Sequence, residues 1–205
     1  MAFATFGAFR ALRRTFLAAT AASALVCLAG PALAQGAPKV KFVTSEGDFV
    51  VEVYPDKAPK TVENFLQYVK DKHYDGTIFH RVISNFMVQG GGYDSAYAEK
   101  KTRAPVVHEG REALAKGGPK NVVGTLAMAR TNDPNSASSQ FFINVKDNDF
   151  LNPSTQAPGY TVFGKVVGGM DVVNKIKAVP TGAGGPFPSD VPKTPVVIKS
   201  ATLVN

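Results

Sequence analysis

Residues 79–92 read FHRVISNFMVQGGG, and how this stretch folds decides the rest. It alternates like a β-strand, yet a histidine, an arginine and a glutamine stand among its apolar residues. Period-2 alternation puts Arg81 on the face of Phe79 and Ile83, opposite His80 and Val82. Gln89 likewise shares a face with Met87. A guanidinium is costly to bury unless it is paired, and a solvent face would not mix such groups so evenly. The pattern suits an apolar pocket with a few hydrogen-bonding groups set in it. Ser84-Asn85 separates two strand-like runs, 77–83 and 86–89, and Gly90-Gly91-Gly92 marks a strand end where backbones approach closely.

Upstream, VKFVTSEGDFVVEVY (Val40 to Tyr54) gives two β-rich runs about the turn Ser45-Glu46-Gly47-Asp48. Pro55 and Pro59 stop the second run. An amphipathic helix then spans 59–71, with Val62, Phe65, Leu66 and Val69 on one face and Thr61 as its expected N-cap. Residues 90–121 are rich in glycine and charge and read mostly as loop. NVVGTLAMAR and SSQFFINV are two more strands, joined by the turn-rich TNDPNSA. YTVFGKVVGG continues as strand, and MDVVNKIKAV is a second short helix, 169–178, with Met170, Val173 and Ile176 apolar. Five prolines between 180 and 195 mark a loop, and VVIKSATLV ends the chain as strand. Many short strands and two helices predict a mainly β domain, closed or nearly closed, with helices plugging its ends.

Hydrophobic residues make up 44% and charged residues 19% of the 205, a soluble globular profile. Residues 1–34 are set apart from that domain. Arg10, Arg13 and Arg14 precede the apolar run TFLAATAASALVCLAG, and Ala32-Leu33-Ala34 fits a small-x-small cleavage site. This is the pattern of a secretory signal peptide, too short and wrongly flanked for a stable membrane anchor. The paired arginines leave two export routes open, general secretory and twin-arginine. The expected organisation is a cleaved 1–34, a short lead at 35–39 and one domain over 40–205. Three of the 23 basic residues leave with the leader, against 16 acidic ones, so the mature charge is +4. That is too mild to argue for a nucleic-acid partner. Cys27, the one cysteine, lies in the leader, so the exported domain has no disulfide or thiolate chemistry.

Other chemistries find no purchase. His73, His80 and His108 form no metal-binding spacing, so no metal is expected. The glycine triplet lacks the Lys-Ser/Thr and helix of a phosphate cradle, and no cofactor is implied. No serine sits in GxSxG.

What recurs is long polar side chains (Arg81, Gln89 and Gln140) amid aromatic residues and methionines. FHRVISNFMVQGGG, then GTLAMAR with SASSQFFINV, then FLN with YTVFGKVVGGMDVV, together resemble the cyclophilins, peptidyl-prolyl cis-trans isomerases. The leader and the 90–120 loop are most similar to periplasmic members from Gram-negative bacteria. The resemblance implies a closed eight-stranded antiparallel barrel capped by two α-helices, with a groove on its outside. It implies catalytic roles for Arg81, Phe86 and Gln89, with Gln89 steadying Arg81. Proline-pocket walls would be Phe86, Met87, Phe142 and Leu151. Ala129 and Arg130 would pair with the substrate backbone, Gln140 would be their polar neighbour, and Phe150 and Tyr160 would complete the rim. Arg130, Phe150 and Tyr160 stand where the best-known cytosolic members have asparagine, tryptophan and histidine.

The implied substrates are proline-containing, unfolded or partly folded exported polypeptides, met in the periplasm by a monomer. Two other readings compete with this one. A non-catalytic module or holdase of the same fold would be favoured by loss of Arg81, Phe86 or Gln89, all of which are present. A barrel for single-stranded nucleic acid would want a basic groove with stacking aromatics, whereas the basic residues here are scattered and matched by acids.

Overall fold

The computed structural model describes residues 36–204, so the expected signal peptide and Cys27 lie outside the described residues. Eight strands form one antiparallel sheet: β1 (Lys39–Thr44), β2 (Gly47–Val53), β3 (Arg81–Ile83), β4 (Met87–Gly90), β5 (Thr125–Met128), β6 (Phe141–Asn144), β7 (Val162–Gly168) and β10 (Ile198–Val204). Their order is β10-β1-β2-β7-β5-β6-β4-β3. Two further strands, β8 (Thr181–Gly184) and β9 (Phe187–Pro192), make a separate ribbon.

The sheet is open rather than closed, which corrects the closed barrel expected above. Strands β10 and β3 are its edges, and only an isolated bridge, Ile78 to Val197, joins segments beside them. The ladder stops for a local reason. Residues 72–76 opposite β10 are a turn with positive φ at Lys72 (55°) and Gly76 (79°), and such backbone cannot hold a strand register. Hydrogen bonds from Phe79 N to the Val196 carbonyl (3.0 Å), from Ile198 N to the Thr77 carbonyl (2.7 Å) and from Gly76 N to the Ile198 carbonyl (2.8 Å) are what remains of closure among the described residues.

Hairpin β1–β2 follows its alternation: Val40, Phe42, Phe49, Val51 and Val53 all point inward and are buried. Gly47 closes the turn at φ 126°, where a Cβ would lie 2.9 Å from a Val172 methyl carbon, so only glycine fits. Phe42 and Phe49 stack at 4.9 Å across the hairpin, and Phe65, Tyr74, Phe141 and Phe163 complete an aromatic centre to the core.

Helix α1 (Pro59–Lys70) buries Val62, Phe65, Tyr68 and Val69. Its N-cap is Ala58, not Thr61, and it has no side-chain cap of its own. The carboxylate of Glu109 supplies one from a distance, accepting from Lys60 N (3.1 Å), Thr61 N (2.7 Å) and Thr61 Oγ1 (2.7 Å). A buried anion at a helix N-terminus satisfies free N–H groups and meets the positive end of the dipole. Glu109 is held in place by α2 (Gly110–Ala115), a helix that the reading of 90–121 as loop did not anticipate. Six residues are too few to display a helical period. Helix α3 (Met170–Lys177) lies where the second helix was expected and buries Val172, Val173 and Ile176. The proline-rich segment is likewise the β8–β9 ribbon instead of a loop. A two-stranded ribbon leaves each strand one unpaired side, where prolines are tolerated.

Strands β4, β5 and β6 have both faces covered. Val88, Leu126, Met128, Phe141 and Ile143 enter the main core. Their neighbours in sequence (Met87, Ala127 and Phe142) join Leu151 and Val162 in a second apolar cluster outside the sheet. That outer cluster is the ground on which the site is built.

Candidate active site

One row of directly opposed residues crosses the outer face: Arg81 on β3, Gln89 on β4, Phe142 on β6, Ala127 on β5 and Val162 on β7. Opposed residues in a ladder point to the same side, so five distant segments converge. Phe79 does not belong to this face, which corrects the alternation read from sequence. It precedes β3, bends inward and is fully buried near Phe49 and Phe141. Arg81 is exposed, so its guanidinium is not buried after all.

A cavity of about 190 Å³ opens on this row. It is lined by Arg81, Phe86, Met87, Gln89, Ala129, Arg130, Phe142, Leu151 and Tyr160, nine of the eleven site residues singled out above. The other two stand beside it. Phe150 is 72% exposed and stacks on the back of Phe86 at 5.6 Å, outside the lining. Gln140 accepts a hydrogen bond on Oε1 from Gln89 Nε2 (3.1 Å). Gln89 is therefore steadied by Gln140, and among the described residues neither makes a hydrogen bond to Arg81. Gly92 makes that pairing possible, because a Cβ there would fall 2.5 Å from the Gln140 side chain.

Tyr160 forms one wall, edge-on to Phe142 at 5.5 Å. The Arg130 guanidinium lies 4.5 Å over the Tyr160 ring and donates to the Gly159 carbonyl from Nε (3.1 Å) and Nη2 (2.8 Å). His108 Nε2 reaches the same carbonyl at 3.2 Å, while Gly110 N donates to His108 Nδ1 (3.3 Å), which assigns the ring proton to Nε2. Burial lowers the His108 pKa, so the ring is neutral at pH 7. The Arg130 side chain thus anchors a wall, beyond the backbone contribution expected of this position.

Beneath the other walls runs a set of asparagines that sequence reasoning missed. Asn148 Nδ2 donates to the Phe86 carbonyl (2.9 Å) and to Asn144 Oδ1 (2.7 Å). Asn144 Nδ2 donates to Asn121 Oδ1 (3.2 Å), and Asn121 Nδ2 to the Leu151 carbonyl (3.2 Å). Three buried amides therefore tie Phe86 to Leu151 across the cavity. The polar residues Asn144 and Asn148 flanking an apolar strand were the available signal.

His80, next to Arg81 and outside the main core, is buried between Tyr93 (4.8 Å) and Phe187 (5.4 Å). Burial, reinforced by the Arg81 charge and partly opposed by the Ile78 backbone, lowers its pKa to about 4; among the described residues Nδ1 has no hydrogen-bond partner.

A side-chain-sized cavity walled largely by apolar side chains, with Arg81 at its edge and, among the described residues lining it, no nucleophile aligned with a base, suits non-covalent chemistry. Residues 39–203 match the family profile of the cyclophilin type peptidyl-prolyl cis-trans isomerases. The chain is 53% identical over 167 residues to peptidyl-prolyl cis-trans isomerase B of Escherichia coli (strain K12), covering 80% of this chain and 98% of that protein. It is 54% identical over 168 residues to an isomerase of Streptomyces antibioticus, with the same coverage. Among solved structures, a cyclophilin type isomerase from Cryptosporidium parvum superposes with a TM-score of 0.65 at 26% identity, over 82% of this chain and 98% of that one. A second structure of that protein, obtained in the presence of the dipeptide Ala-Pro, gives 0.64 at the same identity, over 82% and 99%. The chain belongs to the cyclophilin family and is a peptidyl-prolyl cis-trans isomerase.

Two outcomes follow from this geometry. Asn148→Ala removes one of the two donors to the Phe86 carbonyl, where Val145 N remains, and leaves Asn144 Oδ1 unpaired, at a cost of about 1–3 kcal/mol of stability. The loosened wall should raise KM for a prolyl peptide several-fold; an unchanged KM with a lowered melting point would make the network structural only. For His80, a folded pKa of about 4 lies below its ordinary 6.5, so the unfolded chain binds more protons between those values. Its contribution is complete above pH 6.5 and is lost as pH falls through 4, on the order of 3 kcal/mol in all. Denaturant melts from pH 7 to pH 4 should show this fall, and His80→Leu should flatten it; a parallel curve in the variant would contradict the assignment.

Proposed function

We propose that the cavity is the proline pocket of the isomerase and that Arg81 is its catalytic donor. The observation that carries the reading is Arg81 itself: exposed, at the lip of the apolar cavity, and without an ion-pair partner among the described residues. Rotation about a peptide bond is opposed by delocalisation of the nitrogen lone pair, a barrier of about 18–20 kcal/mol. In the twisted state that lone pair returns to the prolyl nitrogen, which becomes an acceptor. A guanidinium aimed at it interacts strongly only then, and such differential binding is what lowers a barrier. Phe86, Met87, Phe142 and Leu151 hold the ring by apolar contact, and Gln89, kept in place by Gln140, orients the substrate carbonyl. Ala129, Arg130 and Tyr160 bound the path of the substrate backbone. No bond is cleaved and no cofactor enters.

Proline-containing peptides are the substrates on this reading, in keeping with the Ala-Pro dipeptide used with the Cryptosporidium parvum relative. The leader at 1–34 supports a role in the periplasm, on exported chains whose prolyl bonds otherwise relax in roughly tens to hundreds of seconds.

A protease-coupled assay on a prolyl peptide tests the mechanism. Arg81→Ala should lower kcat/KM by roughly 10²–10³, the equivalent of about 3–4 kcal/mol, with little change in peptide Kd. Arg81→Lys should recover little, because one ammonium does not reproduce the planar fork. Near-normal turnover in a folded alanine variant would overturn it. For export, mass spectrometry of protein from the periplasmic fraction should find Gln35 first; intact residues 15–30 in that fraction would refute the leader reading.

A further inference from the structure

The β8–β9 ribbon creates a second cavity, of about 420 Å³, that shares Arg81 and Gln89 with the proline groove as a common wall. Its floor is aromatic. Phe187 packs against His80 at 5.4 Å and edge-on to Tyr93 at 5.2 Å, and both Phe187 and Tyr93 keep part of their surface open. Asp190 stands on the ribbon side, its carboxylate accepting from Ser189 Oγ at 3.0 Å. It adopts φ 64°, a left-handed conformation that non-glycine residues seldom hold without a reason. Among the described residues Asp190 has no cationic partner, and it does not reach Arg81, the one fixed cation in this lining.

An anion beside open aromatic faces suits a long cationic side chain, whose alkyl stem covers the rings while its head meets the carboxylate. We propose that this cavity is a second substrate subsite that takes a lysine or arginine flanking the proline, with Asp190 as the specificity-determining residue. The inference rests on the proline-pocket reading, because only a peptide seated there brings its next side chain over the shared wall. Arg81 stays at that wall, so the cationic head enters at the ribbon end, away from it.

The test compares turnover of peptides with one X-Pro core that carry Lys, Glu, norleucine or Ala next to the proline, on either side in turn. At one of the two positions Lys should exceed Glu in kcat/KM by about threefold to tenfold at low ionic strength, the range expected of a partly exposed charge pair with a cation–π contact. Asp190→Asn, which tolerates the positive φ, should bring the ratio close to one and leave the Ala peptide unchanged. Phe187→Leu should shrink the advantage of Lys over norleucine. A Lys-to-Glu ratio that survives Asp190→Asn, or no Lys preference at either position while the Ala peptide turns over normally, would overturn the subsite. Absence of turnover with every peptide would overturn the proline-pocket reading and the subsite with it.

Discussion

Everything at the site depends on one row of cross-strand partners on the outer face of the sheet. Arg81, Gln89, Phe142, Ala127 and Val162 come from five strands, and their order is set by register alone. A slip of one residue in any strand would turn its member of the row into the core and bring a core residue out. The register is held because both faces of the central strands are apolar and fully used. Phe141 is locked in the aromatic interior, so Phe142 has only the outer face to occupy. The buried core therefore positions the site without touching it.

A groove formed this way still needs rigid walls, since Phe86, Leu151 and Tyr160 sit outside the strands. Phe86 lies in the β3–β4 turn and Leu151 in a short 3-10 turn. Backbone carbonyls at both places are satisfied by amide donors from one connected set, Asn121, Asn144 and Asn148. Tyr160 is fixed differently, through a carbonyl that accepts from Arg130 and His108 together. Buried polar groups of this kind are tolerable only when fully paired, and paired they define one geometry.

Legibility in the sequence follows from the same physics. Strands with period-2 alternation, such as 40–53, and helices long enough to show a face, such as 59–70, were plain. The roles of nine cavity residues came through resemblance, and the row explains how three of them, Arg81, Gln89 and Phe142, come together. The misses have local causes. The break at Phe79 is a bend in a segment that alternates on paper. The six residues of α2 carry no period, and prolines in 180–195 masked a ribbon whose unpaired edges accept them. Closure of the sheet was lost to two positive-φ residues in a turn that no hydropathy pattern displays. Glu109 as a remote cap for α1 is a tertiary contact across 48 residues of sequence, invisible to any window.

The proposed mechanism also explains what the site leaves out. A carboxylate about 4 Å from Arg81 would attract it by about 4 kcal/mol at an effective dielectric of ~20. That equals the roughly 3–4 kcal/mol one electrostatic donor contributes to a transition state. A paired guanidinium would have to break its bond before it could act, and the two terms would cancel. Arg81 avoids this by standing exposed, next to a histidine that burial keeps neutral and beside a glutamine whose hydrogen bond goes to Gln140. The one acid lining the neighbouring cavity, Asp190, is engaged by Ser189 and out of ion-pair reach. On the proposed mechanism, keeping the donor unpaired is a condition of the reaction, and the placement of His80, Gln89, Gln140 and Asp190 meets it.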